Sequence, residues 1–259
     1  MCSEEINMNE PKAYVKHRAE LDWLFRKIFK PTVIGAENIP AEDEKFLYLL
    51  HGLSDDESKW SRYTSIERYA AEYNFFVIMP DGSRSFYTDA ENGANYWSFI
   101  SGELPQKIKT LFNRDCPRER TFAAGLSMGG GGSTSYAQRH ADMFCACYAM
   151  SALMHYPAPN PSAEKNKMWH MLTAANKYSC VDYVKNADEK TNEALKTVAW
   201  YIDCGDDDFL FEYNIDLVLA MRKAGIPHQL RVRDGAHTWE YWHSALYEAL
   251  PFVSRIFGK

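Results

Sequence analysis

The sequence predicts an α/β protein: a mostly parallel central sheet with helices on both faces. Three observations predict it. Continuous apolar runs of strand length recur at residues 46–50, 75–79, 144–149 and 198–202, the pattern of strands buried on both sides. Helical patterns separate them, which implies right-handed βαβ units. Finally, each chemically suggestive stretch follows a predicted strand, at the carboxyl edge where open α/β sheets place their sites.

The bulk numbers agree. A chain of 259 residues can bury one substantial core, so a single domain spanning 1–259 is expected. Hydrophobic residues make up 46% and charged residues 25%, ordinary for a globular chain. The formal charge of −6, with no Lys/Arg cluster, argues against a nucleic-acid partner. None of the six cysteines forms a C-x-x-C pair, so neither a metal site nor a disulfide framework is expected. No apolar run is long enough to span a bilayer, and no signal-peptide core is visible. The start Met1-Cys2-Ser3-Glu4-Glu5 reads as a cytoplasmic one, with a trimmed exported or lipoprotein form as the alternative. Compartment is left unknown, and assembly into a homo-oligomer stays open.

Taken in order, residues 1–45 read as an N-terminal helical extension, with Leu21, Leu24, Phe25 and Ile28 at helical spacing before Pro31. The strand at 46–50 runs straight into His51-Gly52-Leu53. A helix is expected over 60–73, then a strand at 75–79 closed by Pro80-Asp81-Gly82. Residues 83–96 read as a polar and aromatic surface loop. A helix over 97–111 leads to an apolar run ending Thr121-Phe122-Ala123-Ala124, and a helix over 128–140 follows. Beyond the strand at 144–149 lies a loop at 151–161. Segment 162–196 is charged and weakly helical, so 155–197 reads as a lid or insertion over a cleft. The strand at 198–202 precedes the acidic turn Asp206-Asp207-Asp208. A helix containing Ile215, Val218, Leu219 and Met221 stops at Gly225, and a last strand at 229–232 leads through Gly235-Ala236-His237 into a final helix.

The chemistry centres on Gly125-Leu126-Ser127-Met128-Gly129, a G-x-S-x-G placed between strand and helix. A serine on so tight a turn needs neighbours without side chains, and it is presented at a helix N-terminus that favours developing negative charge. A nucleophile of this kind requires a base, an orienting acid and an oxyanion site. His237 follows a strand by a short glycine-containing loop and is the base; His243, about two turns further on, is its only rival. His17, His140, His155, His170 and His228 are worse placed. The acid lies among Asp203, Asp206, Asp207 and Asp208; Asp208, which precedes apolar Phe209-Leu210-Phe211, is expected to turn inward, with Asp207 second. The order Ser, Asp, His is that of an α/β-hydrolase triad. Two backbone donors are needed for the oxyanion: Met128 N–H, directly after the serine, and Leu53 N–H in the loop after an earlier strand. Trp60, Tyr87, Tyr96 and Trp239 are candidates to line a cleft for an aryl group or a sugar. Cys204 reads as a small buried residue at a strand end.

With these residues in hand the chain resembles the esterase D and tributyrin-esterase group of α/β-hydrolases, which includes carbohydrate esterase family 1, the feruloyl and acetyl-xylan esterases. The resemblance rests on Leu49-Leu50-His51-Gly52-Leu53, Asp81-Gly82-Ser83-Arg84-Ser85-Phe86-Tyr87, Gly125-Leu126-Ser127-Met128-Gly129-Gly130, Cys204-Gly205-Asp206-Asp207-Asp208-Phe209-Leu210 and Gly235-Ala236-His237-Thr238-Trp239-Glu240-Tyr241-Trp242. It implies the α/β-hydrolase fold, a serine esterase acting on acetyl, feruloyl or other short acyl esters, and no cofactor. It places the triad on Ser127, Asp208 and His237 and the oxyanion donors on Leu53 and Met128. The alternatives it leaves are a thioesterase of the S-formylglutathione hydrolase type, an acyltransferase, and, outside enzymes, a non-catalytic binding member of the fold.

Overall fold

The computed structural model describes residues 14–16, 32–35, 43–89, 94–156 and 175–257. Among the described residues eight strands form one sheet: β1 (Tyr14–Lys16), β2 (Thr32–Gly35), β3 (Lys45–Leu50), β4 (Phe75–Met79), β5 (Thr121–Leu126), β6 (Ala146–Met150), β7 (Ala199–Gly205) and β8 (His228–Arg233). Their order is β1-β2-β4-β3-β5-β6-β7-β8. Every pair from β4 to β8 is parallel, while β1 and β2 add an antiparallel edge. These two strands correct the reading of 1–45 as a helical extension. Val33 and Ile34 pair with Ile78 and Val77 and are buried, so this stretch continues the sheet. The helix expected around Leu21 to Ile28 lies outside the described residues.

Among the described residues the main helices are α1 (Lys59–Tyr63), α2 (Ile66–Tyr73), α3 (Leu104–Phe112), α4 (Met128–Arg139), α5 (Cys180–Lys185), α6 (Glu189–Lys196), α7 (Phe211–Lys223) and α8 (Trp239–Phe257). Strand alternation divides the core. Phe46, Tyr48 and Leu50 of β3 face the layer under α3, α4, α5 and α7, whereas Leu47 and Leu49 face the layer under α2 and α8. Each such buried side chain contributes about 1.5–3 kcal/mol of apolar burial.

Two expected helices are interrupted. The 60–73 pattern splits where Thr64 turns extended between α1 and α2. Before α3 the chain forms a single turn at Tyr96–Ser98 and a π-helical stretch at Phe99–Glu103; Pro105, with no N–H to donate, stands at the junction. In segment 155–197 the described part is docked on the body. Ser179 and Asp188 cap α5 and α6 through their side chains, and Cys180, Val181, Val184 and Leu195 are buried in the core. Residues 157–174, the rest of the expected lid, lie outside the described residues.

The chain leaves β3 for β4 on one side and returns to β5 on the other. That reversal makes the carboxyl ends of β3 and β5 the switch point of the sheet. His51-Gly52 follows β3 and Ser127 follows β5.

Candidate active site

Ser127 joins β5 to α4 with φ 52° and ψ −118°, a left-handed conformation that a side-chain-bearing residue rarely adopts. Its surroundings hold it there. Ser127 N–H donates to Met150 O at 2.9 Å, and Ser127 O accepts from Gly131 N–H and Leu153 N–H at 3.1 and 3.0 Å. A methyl group on Gly125 would strike the Gly129 carbonyl, and one on Gly129 would strike the carbonyls of Leu50 and His51. The glycines therefore allow β3, β5 and α4 to meet at one point, and the run from Gly129 to Gly132 is buried helix.

His237 stands over this turn. Its Nδ1 lies 3.0 and 2.9 Å from the two Asp208 carboxylate oxygens, and its Nε2 lies 2.9 Å from Ser127 Oγ. A carboxylate only accepts, so Nδ1 carries the proton and Nε2 is free to receive the one that Ser127 Oγ donates. The Asp208 side chain is 0% exposed. Burial pushes its carboxyl up, but hydrogen bonds from His237 and from the Leu210 N–H, at 2.8 Å, outweigh burial and hold it below the usual carboxylate range.

The neighbouring acids have other work. Asp206 and Asp207 are exposed; Asp206 Oδ1 accepts from Gly235 N–H at 3.1 Å and Asp207 N–H donates to Gly235 O at 3.0 Å, which ties the acid loop to the histidine loop. Asp203 is fully buried and accepts from Tyr148 OH at 2.6 Å, from Tyr241 OH, and from Arg233 Nη2 at 3.1 Å. His243 lies away from the serine, with Nδ1 3.2 Å from Tyr63 O. Asp208 turns inward as expected, while Phe209 beside it is 73% exposed and leans on the His237 ring at 4.4 Å. Cys204 is fully buried, and burial pushes its thiol up to about 12.

A pocket of about 290 Å³ opens at the serine, lined by Gly52, Leu53, Asp55, Leu126, Ser127, His237, Thr238, Trp239 and Trp242. Met128 N–H is the first of α4, where no intrahelical acceptor exists, and Leu53 belongs to the pocket wall. Among the described residues neither N–H has an intramolecular acceptor. Two free donors beside a nucleophile suit a tetrahedral oxyanion.

Of the four aromatic candidates only Trp239 lines the pocket. Trp60 is 0% exposed and packs edge-on beneath Trp239, centroids 5.3 Å apart. Tyr87 is buried core; its OH donates to His51 O at 3.1 Å. Tyr96 is half-buried outside the pocket. Trp242, Thr238 and Asp55 were missed. Trp242 is one helical turn beyond Trp239 and was legible by spacing; Asp55 carried no signal beyond its nearness to Gly52.

Among the described residues no helix is long and apolar enough to cross a membrane. The sequence profile of the Esterase family matches residues 37–253. An acetyl esterase from Caldicellulosiruptor saccharolyticus is 27% identical over 238 residues, 88% of this chain and 90% of that one. A solved ferulic acid esterase is 38% identical with a TM-score of 0.84, over 96% of this chain and 100% of that one. An S-formylglutathione hydrolase, FrmB from Staphylococcus aureus, is 27% identical with a TM-score of 0.71, over 93% and 95%.

Proposed function

The chain belongs to the Esterase family of α/β-hydrolases, and from that premise we propose that it is a serine carboxylic-ester hydrolase working through an acyl-enzyme, with acetyl or feruloyl esters of plant polysaccharide as its leading substrates. The observation that carries the reading is the relay from Ser127 Oγ through His237 to Asp208, with contacts of 2.9, 2.9 and 3.0 Å.

His237 Nε2 takes the Ser127 proton as Oγ attacks the ester carbonyl carbon. The carbonyl electron pair moves onto oxygen, where the N–H groups of Leu53 and Met128 receive it. Asp208 stays ionised and stabilises the imidazolium. Collapse of the intermediate breaks the bond to the alcohol, which leaves with the proton from His237. Water repeats the sequence on the acyl-enzyme, releasing the acid and restoring the serine. Water is the only co-reactant.

The size of the pocket, about 290 Å³, is at the small end of ligand cavities and supports a short acyl group. The likeness to an acetyl esterase supports the same acyl class, and the likeness to a ferulic acid esterase supports the feruloyl member. The likeness to an S-formylglutathione hydrolase favours a thioester as the second reading.

A panel of p-nitrophenyl acetate, p-nitrophenyl butyrate, methyl ferulate, acetylated xylan and S-formylglutathione, with Ser127→Ala beside the wild type, tests the proposal. Turnover of the acetyl-sugar or ferulate members, lost in the variant, is the expected result. Preference for the thioester would move the assignment to the second reading. Activity that survives Ser127→Ala would overturn the mechanism.

A further inference from the structure

The loop that carries Leu53 brings a carboxylate into the same pocket, and the acyl-transfer chemistry leaves it unused. Asp55 is half-buried and lines the wall beside Ser127. A methyl group placed on Gly52 would lie 3.2 Å from Asp55 Oδ2 and 3.6 Å from Ser127 Cβ. Carboxylate and nucleophile thus flank one point of the wall.

No cation is paired with Asp55 among the described residues. Lys59 and His51 act on it only as Coulombic neighbours, and the donor directed at it is the Gly52 N–H. An ionised carboxylate has about four lone-pair sites, so most of its accepting capacity is left for whatever enters the pocket. Its position is otherwise unfavourable. Burial pushes its carboxyl up, and a negative charge here opposes the oxyanion that Leu53 and Met128 would receive. A half-buried charge with its accepting sites open is compensated when the substrate brings donors to it.

The rest of the lining says what kind of donor. From α8 the pocket takes Trp239 and Trp242, their rings edge-to-face with centroids 5.4 Å apart. Tyr63 stacks on Trp239 at 5.0 Å and 17°, which holds the indole as a fixed platform. Trp242 is 5% exposed and backs the wall, while the half-buried Trp239 offers apolar contact to the C–H groups of a sugar ring, and a carboxylate accepts its hydroxyl hydrogens. Both in one small pocket form a pair of complementary contacts for a neutral, hydroxyl-bearing ring.

We propose that Asp55 determines substrate specificity by accepting the hydroxyls of a sugar whose ester carbonyl faces Ser127, and by disfavouring esters that carry an anionic group. The proposal rests on the esterase reading and names the residue that selects its sugar alcohol.

The test compares Asp55→Asn and Asp55→Ala with the wild type on three esters. One is an acetylated xylo-oligosaccharide, one is neutral p-nitrophenyl acetate, and one is anionic p-nitrophenyl hydrogen succinate. With the sugar ester, kcat/KM is expected to fall about 10-fold or more in Asp55→Ala, mainly through KM, the scale of a lost hydrogen bond to a charged group. With p-nitrophenyl acetate it is expected to rise by roughly 2- to 5-fold as the charge opposing the oxyanion disappears, and with the succinate by about 10-fold or more. The opposite signs exclude a general loss of structure. A common factor on all three esters, or an undiminished sugar ester, would overturn the role of Asp55. The esterase reading fails separately, through turnover of p-nitrophenyl acetate that survives Ser127→Ala.

Discussion

His51 Nδ1 lies 2.8 Å from the carbonyl oxygen of Gly52, and that carbonyl belongs to the same peptide unit as the Leu53 N–H. Gly82 N–H donates to His51 Nε2 at 2.8 Å, so Nε2 is the acceptor and Nδ1 carries the proton that it donates to Gly52. The buried imidazole therefore fixes the plane of the peptide proposed to hold the oxyanion. His51→Ala is expected to lower kcat roughly 10- to 100-fold with KM little changed, because removing an oxyanion donor outright costs about 100- to 1,000-fold. Steady-state kinetics on p-nitrophenyl acetate check this; a change confined to KM would exclude the role.

Asp208→Asn keeps the shape of the relay but removes the acceptor that holds the His237 tautomer. A drop in kcat on the order of 10⁴-fold is expected. The same variant tests linkage. The Asp208 carboxyl is held below its usual range, so the unfolded chain binds that proton more readily than the folded one. The stabilisation it contributes is complete above the ordinary carboxylate pKa of about 3.9 and is lost as pH falls through the lower folded value. Urea midpoints followed from neutral to acid pH should show a shallower acid loss in Asp208→Asn, and parallel curves would contradict this assignment.

Gly129→Ala places a methyl group against the backbone carbonyls of Leu50 and His51, groups that cannot rotate away. Overpacking of this kind costs about 1–3 kcal/mol, a fall in Tm of roughly 2–10 °C for a domain of this size. Activity should fall as well, because the displaced strand end carries the Leu53 loop. Calorimetry beside kcat measures both, and an unshifted Tm would contradict the close approach.

Arg233→Ala leaves Asp203 buried with only the hydroxyls of Tyr148 and Tyr241 as donors. Removing one partner of a fully buried pair costs about 3–5 kcal/mol, and because Arg233 is 29% exposed the expected loss is at or below the low end of that range. The loss should show in the urea midpoint and, because Tyr241 lies four residues past His237 in the first turn of α8, in kcat. Double substitution with Asp203→Asn should recover part of the stability, since the orphaned charge is then gone.

What the sequence determined by itself was the alternation of strands and helices, the strand-turn-helix position of Ser127, and the place of His237 after the last strand. These are local properties. Apolar run length, glycine at a turn and chain order all act over a few residues, and no distant contact changes them. Spacing alone left the four aspartates open, and the choice of Asp208 came from the apolar residues after it and from the resemblance; which side chain leaves a turn toward the sheet edge depends on backbone angles set by partners elsewhere, and Gly235, hydrogen-bonded to the exposed Asp206 and Asp207, is one such partner. The same holds for the aromatics. Trp60 and Tyr87 are core and Trp239 is pocket because long-range packing decides which face of an element is covered. The edge strands β1 and β2 were hidden for a related reason: they are short, and pairing with β4, whose sequence lies some 40 residues beyond β2, makes Thr32–Gly35 a strand. His51 shows the limit most clearly, since the sequence supplies a histidine before a glycine, but only folding brings Gly82 to its other nitrogen and sets the direction in which it donates.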